Sequence, residues 1–210
     1  MNRMNDLNCL LAEKLVEDIK KDHEASGIAV AIIDKSGKTQ YEKFWGVRDL
    51  ESGKEVNGDT IFGLASVTKS FTALSIMQLE EKGIIDLDAP ISQYIPEFTN
   101  KNQSKKVTVR HLLSHAGGFF PLPRILVGNV AESLGLDEEK DGDFAYNDAV
   151  AQEGVKLVAE RLDAQTKESG LNGQPGEYLS YCNDGFGLLS DIIRRYGGEP
   201  SYADNLVKHV

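Results

Sequence analysis

The chain has 210 residues, 40% of them hydrophobic, and carries a formal net charge of −10 at pH 7. This length and apolar content are sufficient for one large domain or two small ones with a substantial buried core. The acidic balance argues against nucleic acid or an anionic membrane as a partner, because both are bound through clustered lysine and arginine side chains.

The N-terminal part is predicted to form a helix followed by a β-hairpin. Leucine and isoleucine side chains recur on one face of residues 7–19, with charged residues opposite, which is typical of an amphipathic helix. Residues 28–33 form an apolar run of strand length, and residues 34–38 have the composition of a turn. Residues 40–47, which include three aromatic side chains, then supply the second strand.

Helices are predicted for most of the remaining chain. One should begin near Ser66 and end at Gly83, and residues 84–174 are helical and loop-rich in pattern, with no alternating strand signal. In that stretch Pro90 indicates a helix start, and Thr108 is suited to cap a short helix. The later predictions are a surface loop over 136–148, a helix over 148–162, a helix capped by Asn183 or Asp184 and ending at Arg195, and a last helix beginning at Ser201.

Ser66 and Lys69 stand three residues apart at the start of the helix predicted near residue 66. Residues i and i+3 of a helix share one face, so the lysine amine can reach the serine hydroxyl. Serine is a poor nucleophile unless a neighbour accepts its proton, and lysine can do so only where its surroundings lower its pKa. The spacing therefore indicates either a nucleophile beside a base or an ordinary helix start.

A second polar group, Tyr181-Cys182-Asn183, follows the turn residues Pro175-Gly176. By itself it is weak evidence, because a tyrosine before a helix is usually packed and an asparagine there is usually a cap. Between the two groups lies Val109–Gly118, with the sequence VRHLLSHAGG.

Together these three segments resemble the serine β-lactamase and penicillin-binding protein superfamily, in particular its class C β-lactamase-like branch, which includes D-amino-acid peptidases and esterases. The segments occur in the family order, and the resemblance covers the chain from about residue 26 to residue 210. It implies an α+β, serine β-lactamase-like fold, in which an antiparallel sheet flanked by helices is joined to an all-helical region. Residues 1–83 and 175–210 would form the α/β part, and residues 84–174 the helical insertion.

The resemblance also implies roles for individual residues. Ser66 would attack an amide or ester carbonyl to form an acyl-enzyme, and its backbone N–H would serve as one oxyanion donor. Lys69 would be the adjacent cation or base, and Tyr181 would exchange the proton between Ser66 and the leaving group. Asn183 would hydrogen-bond the substrate amide and Lys69.

Histidine and cysteine are given no catalytic role. The resemblance implies that His115 is a structural residue that lies at the end of a helix and hydrogen-bonds to the backbone. A histidine at this position is also chemically suited to act as a base. The remaining expectations are a structural His111, surface positions for His23 and His209, a reduced Cys9 and Cys182, and a Cys182 side chain that faces away from the cleft.

The family's third motif, Lys-Thr-Gly or His-x-Gly on a later strand, is not found after Tyr181, so the fold is expected to be incomplete at the C-terminus. We predict a cytoplasmic serine hydrolase with β-lactamase, D-peptidase or esterase activity, requiring no metal or other cofactor. The expected partners are a small-molecule or peptide-like substrate and a further segment or second chain that completes the sheet. The alternatives are a catalytically incomplete fragment and a non-catalytic protein that binds peptides or a partner.

Overall fold

A computed structural model describes residues 6–23, 25–99, 106–122, 127–141, 148–165 and 173–210. The chain forms two compact units, Met1–Gly63 and Leu64–Val210. The predicted division into an α/β part, residues 1–83 and 175–210, and a helical insertion, residues 84–174, concerns the complete fold and stays a prediction. None of the helices in the described ranges has both the length and the apolar content needed to cross a bilayer.

The first unit contains one helix and a small antiparallel sheet. Its elements are α1 (Asp6–His23), β1 (Gly27–Ile33), β2 (Thr39–Asp49) and β3 (Lys54–Glu55), with strand order β1-β2-β3. The predicted helix and hairpin are confirmed, with Ile28 opposite Trp45 and Ile32 opposite Tyr41. An ion pair between Glu13 and Lys43 joins α1 to β2.

The hairpin turn is closed by Asp34. Its carboxylate accepts hydrogen bonds from the Ser36 N–H at 2.8 Å and the Lys38 N–H at 3.1 Å. Gly37 has φ +81°, which glycine adopts without steric cost, so the tip of the turn is suited to its residues. The Ser36 hydroxyl, which also donates to this carboxylate, and then these two N–H groups hold the pKa of Asp34 below its ordinary value.

The second unit is helical in its described part. Its helices are α2 (Thr68–Glu81), α3 (Val109–Leu113), α4 (Val127–Ser133), α5 (Glu138–Asp141), α6 (Asp148–Gln165), α7 (Asn183–Tyr196) and α8 (Tyr202–His209), with single 3-10 turns at Ala65–Val67 and Ile91–Gln93. One core joins α2, α3, α6 and α7, and its fully buried side chains include Ile76, Phe98, Leu162, Leu188 and Ile192. The predicted helices over 148–162, 184–195 and from Ser201 are confirmed, and the helix predicted from about Ser66 to residue 82 is α2, preceded by the 3-10 turn that contains Ser66.

Several local predictions are wrong. Pro90 precedes only a 3-10 turn, and two short helices, α4 and α5, were not predicted. Residues 142–147 of the predicted surface loop lie outside the described residues, whereas α5 occupies part of its beginning. Cys182, rather than Asn183 or Asp184, is the N-cap of α7. Asp184 does not cap this helix, because its carboxylate accepts the Leu122 N–H at 3.0 Å.

Thr108 caps α3 as predicted. Its hydroxyl accepts the His111 N–H, and Nδ1 of His111 accepts the Thr108 N–H at 3.1 Å, which completes a capping box. The chain turns away from this helix at His115, which has φ +52°. The residues that follow α3 then run beside the segment that carries Tyr181-Cys182-Asn183.

Candidate active site

The serine of the first motif lies in the 3-10 turn Ala65–Val67, immediately before α2. Ser66 is exposed, and Lys69 is half-buried in the first turn of α2, one helical turn along the chain. Ala65 has φ +44°, a left-handed conformation that is strained for alanine. Strain of this kind is often found beside reactive residues, where it fixes a side chain in a set direction.

Three polar atoms meet at this turn. Ser66 Oγ lies 2.7 Å from Tyr181 Oη, and Lys69 Nζ donates a hydrogen bond to Ser66 Oγ at 3.2 Å. Lys69 Nζ also lies 5.0 Å from the centroid of the Tyr181 ring and 5.6 Å from that of the Phe186 ring. The ammonium therefore interacts with the serine hydroxyl and with two aromatic rings.

The Lys69 ammonium and the Ser66 hydroxyl, in that order of effect, hold the pKa of Tyr181 below its ordinary value of 10.0. Both groups stabilise the phenolate relative to the phenol. A lower pKa brings the phenolate nearer to the working range of a general base at neutral pH. The side chain is 48% exposed, so a substrate in solution can reach it.

Tyr181 is held by the segment that follows α3. The Ser180 N–H donates to His115 O at 2.8 Å, and the Gly176 N–H donates to Ala116 O at 2.7 Å. Ser180 Oγ donates to Phe119 O at 3.1 Å. The extended residues before α7 therefore run along residues 115–119, which brings the tyrosine to the serine across a long interval of sequence.

Gly118 is required for this close approach. It has φ +78°, and a Cβ atom built on it would lie 2.4 Å from the carbonyl oxygen of Gly173. That separation is far below van der Waals contact with a backbone atom, which cannot move independently. The VRHLLSHAGG segment thus ends in a glycine whose size and backbone conformation are both needed here.

The two residues that follow Tyr181 differ in their exposure to solvent. Cys182 is 5% exposed and packs in the core, and burial raises the pKa of its thiol. Asn183 is exposed, and within the described chain no hydrogen bond joins it to Lys69. The predicted Asn183–Lys69 hydrogen bond is therefore not among those of the described chain, in which Asn183 is the first residue of α7. Its contact with substrate stays a prediction.

The structure describes the side chains of three of the four histidines, His111, His115 and His209. His111 belongs to the capping box of α3, and His209 is near Glu199, 3.1 Å away. The side chain of His23, like that of Cys9, lies outside the described residues. Nδ1 of His115 accepts the Cys182 N–H at 3.2 Å, so it bonds backbone as predicted. Two contacts cannot be predicted from the local sequence: that of the His115 ring with the Tyr181 ring, and that of the Phe186 ring with the Lys69 ammonium.

A metal site is not apparent in the part of the chain that the structure covers, since no three histidine, cysteine, aspartate or glutamate side chains there are arranged to hold an ion. The chemistry available at Ser66 comes from a hydroxyl, an ammonium and a phenol. This arrangement can activate the hydroxyl as a nucleophile and return its proton to a leaving group.

Comparisons with known proteins give matches over most of this chain. The family model described as Beta-lactamase matches residues 12–210. Esterase EstB from Burkholderia gladioli is 36% identical over 175 residues, which are 82% of this chain and 41% of that protein. The serine beta-lactamase-like protein LACTB, mitochondrial, from Homo sapiens is 35% identical over 88% of this chain and 42% of its own length.

A solved structure shows the same fold. The octameric penicillin-binding protein homologue from Pyrococcus abyssi matches with a TM-score of 0.75 at 28% identity, over 98% of this chain and 42% of that chain. The predicted α+β, serine β-lactamase-like fold class is thereby confirmed, and the chain spans less than half the length of these relatives. The match of the family model across residues 12–210 shows that the chain belongs to the Beta-lactamase family.

Proposed function

We propose that the protein is a serine hydrolase that cleaves amide or ester bonds through an acyl-enzyme on Ser66. The observation that carries this proposal is the contact of Ser66 Oγ with Tyr181 Oη at 2.7 Å and with Lys69 Nζ at 3.2 Å. Membership of the Beta-lactamase family and similarity to Esterase EstB support it. A protein that only bound peptides would not need a nucleophile, a cation and a proton acceptor in one contact group.

In the acylation step, the Tyr181 phenolate accepts the Ser66 hydroxyl proton as Oγ attacks the substrate carbonyl carbon. The tetrahedral intermediate then collapses, the bond to the leaving nitrogen or oxygen breaks, and the phenol donates its proton to that atom. Lys69 stabilises the phenolate before attack. The products of this step are the Ser66 ester and the free amine or alcohol.

In the deacylation step, water attacks the carbonyl carbon of the Ser66 ester while Tyr181 again accepts a proton. Collapse of the second intermediate breaks the ester bond and returns the proton to Ser66 Oγ, which releases the carboxylic acid. The Ser66 N–H is proposed as one donor to the oxyanion in both steps, and Asn183 as a contact for the substrate amide.

An ester with an apolar acyl group is the substrate class that we favour within this reaction. Phe120, Tyr178 and Leu179 are 46%, 61% and 76% exposed, and they lie in the two chain segments that adjoin Tyr181. Exposed apolar side chains in the segments beside a reactive residue are suited to bind an apolar ligand. β-Lactams and D-amino-acid peptides are the amide-bearing alternatives.

We also propose that further polypeptide, either more of the same protein or a second chain, completes the sheet and the site. In the described part of the first unit, β1 pairs only with β2, so one edge of this apolar strand has no partner there. Natural proteins rarely leave a long apolar edge strand unprotected. The relatives are more than twice as long as this chain, which is consistent with additional strands.

The test compares the full-length protein with the 210-residue chain. We expect the full-length protein to hydrolyse a p-nitrophenyl ester and to be labelled by a fluorescent penicillin or a fluorophosphonate, whereas the 210-residue chain should do neither. Labelling of the 210-residue chain at the full-length rate would contradict the need for further polypeptide. No reaction of the folded full-length protein with any of the three reagents would contradict the hydrolase proposal and favour a non-catalytic binder.

A further inference from the structure

His115 has no part in the proton transfers proposed above, yet it makes three contacts with the segment that carries Tyr181. Its ring centroid lies 4.4 Å from that of Tyr181, with 33° between the planes. Its Nδ1 accepts the Cys182 N–H at 3.2 Å, and its carbonyl oxygen accepts the Ser180 N–H at 2.8 Å. The backbone on both sides of Tyr181 is therefore fixed by this one residue.

The backbone of His115 is strained in the same way as that of Ala65. Among the residues that the structure describes, these two are the non-glycine positions with positive φ, at +52° and +44°. One precedes the nucleophile and the other supports the phenol beside it. Histidine and asparagine tolerate this left-handed conformation better than most side chains. The strain indicates that the direction of the His115 side chain is important to the site.

We propose that His115 is the positioning residue for Tyr181. As a neutral imidazole, it accepts the Cys182 N–H through Nδ1 and so fixes the phenol against Ser66 Oγ. This inference depends on the proposed function, because it concerns the tyrosine that exchanges the serine proton. An acceptor at Nδ1 requires the tautomer with its proton on Nε2.

The charged and titratable groups around His115 favour the neutral ring. Lys69 faces it from α2, Tyr181 and the buried Cys182 thiol lie on the segment before α7, and Asp184, in the first turn of α7, accepts hydrogen bonds from the Cys182 thiol and the Leu122 N–H. Burial, and then the charge of Lys69, lower the pKa of His115 from its ordinary value of 6.5, and the Cys182 N–H that Nδ1 accepts also favours the neutral ring. Above that pKa the ring is neutral and Nδ1 remains an acceptor.

Protonation at lower pH converts Nδ1 into a donor that faces another donor, the Cys182 N–H. The two groups must then separate, and the backbone on the C-terminal side of Tyr181 moves with them. A displacement of about 1 Å at a reacting group can lower a rate by on the order of 100-fold. The activity should therefore require the deprotonated form of His115 in addition to the deprotonated form of Tyr181.

Two substitutions separate the acceptor from the ring. His115→Asn keeps an acceptor, because asparagine Oδ1 is attached to the same Cγ position as Nδ1 of histidine, and it tolerates positive φ. His115→Phe keeps an aromatic ring but has no acceptor. His111→Ala is the matched control, since it removes a backbone-bonding histidine of α3 that caps the helix instead of supporting Tyr181.

The measurement is the rate of fluorophosphonate labelling of Ser66 in the full-length protein across pH. At pH 8 we expect His115→Asn to retain the wild-type rate within about threefold, and His115→Phe to lose at least about tenfold. His111→Ala should keep the wild-type rate per folded molecule. Below the pKa of His115, the wild-type rate should fall more steeply than that of His115→Asn, by up to about tenfold more per pH unit. Equal loss in both variants, or parallel pH profiles, would overturn the proposal.

A measurement independent of activity keeps His115 testable if Ser66 is not labelled. In ¹⁵N-histidine NMR spectra, His115 should be the Nε2–H tautomer, and the Cys182 amide resonance should shift with the titration of His115. A protonated Nδ1 at neutral pH, or a Cys182 amide that does not respond, would overturn the positioning role. Failure of wild-type labelling would instead overturn the proposed function.

Discussion

Ser66→Ala is expected to lower ester hydrolysis by the full-length protein at least about 1,000-fold, because no other group in the proposed reaction can form the acyl-enzyme. Ser66 is exposed and lies outside the buried core, so the free energy of unfolding should change by no more than about 0.5 kcal/mol. The measurement is the initial rate of p-nitrophenyl ester hydrolysis, with thermal unfolding of the same sample as the control for folding.

Ser70→Ala is a matched control for this substitution. Ser70 is also an exposed serine of the same segment, one residue after Lys69, and no contact in the described chain joins it to Tyr181. It should retain the wild-type rate. A Ser66→Ala protein that hydrolyses the ester within tenfold of wild type would show that another residue, or solvent alone, carries the reaction.

Tyr181→Phe is expected to lower the same rate by about 100-fold to 10,000-fold, the range for loss of a positioned general acid–base group. The substitution removes only the oxygen 2.7 Å from Ser66 Oγ and leaves the ring that contacts His115 and Lys69. Stability should therefore change little, while the loss falls on kcat. Tyr196→Phe, at a tyrosine in the last turn of α7 whose hydroxyl donates to Tyr94 O, should have no comparable effect.

The pH dependence of the wild-type rate follows from the lowered pKa of Tyr181. Because the Tyr181 phenolate is the base, the rate should rise with pH and level off above the pKa of Tyr181 in the folded protein, which lies below 10.0. Lys69→Met removes the largest cause of that lowering, so the pKa rises and the rising limb should move to higher pH. The rising part of the pH–rate profile would belong to another group if its midpoint did not move in Lys69→Met, or if it were still present in Tyr181→Phe.

The sequence predicts best the features that depend on neighbours along the chain. The β1–β2 hairpin follows from an apolar run, a turn that Asp34 closes and a second apolar segment. The proximity of Ser66 and Lys69 likewise requires only helical spacing, and the α3 cap requires only Thr108. In each case the deciding interactions span at most about one helical turn or one hairpin.

The features that the sequence missed depend on distant residues or on very short elements. β3 has only two residues, too few to show an alternating pattern. Asp184 does not cap α7 because its carboxylate accepts a hydrogen bond from the N–H of the distant residue Leu122. The approach of Tyr181 to Ser66 was inferred from the family resemblance alone. The structure adds the local reasons for it, namely the hydrogen bonds to His115 and the close contact of Gly118 with Gly173.

The central proposal is that Ser66 becomes covalently acylated, and peptide mapping by mass spectrometry tests this most directly. The full-length protein is incubated with a slowly hydrolysed acylating reagent such as a penicillin, quenched, digested and sequenced by fragmentation. We predict one adduct, on the Oγ of Ser66, that is absent from Ser66→Ala and strongly reduced in Tyr181→Phe. An adduct on Tyr181, Cys182 or another residue, with Ser66 unmodified during turnover, would contradict the proposed mechanism.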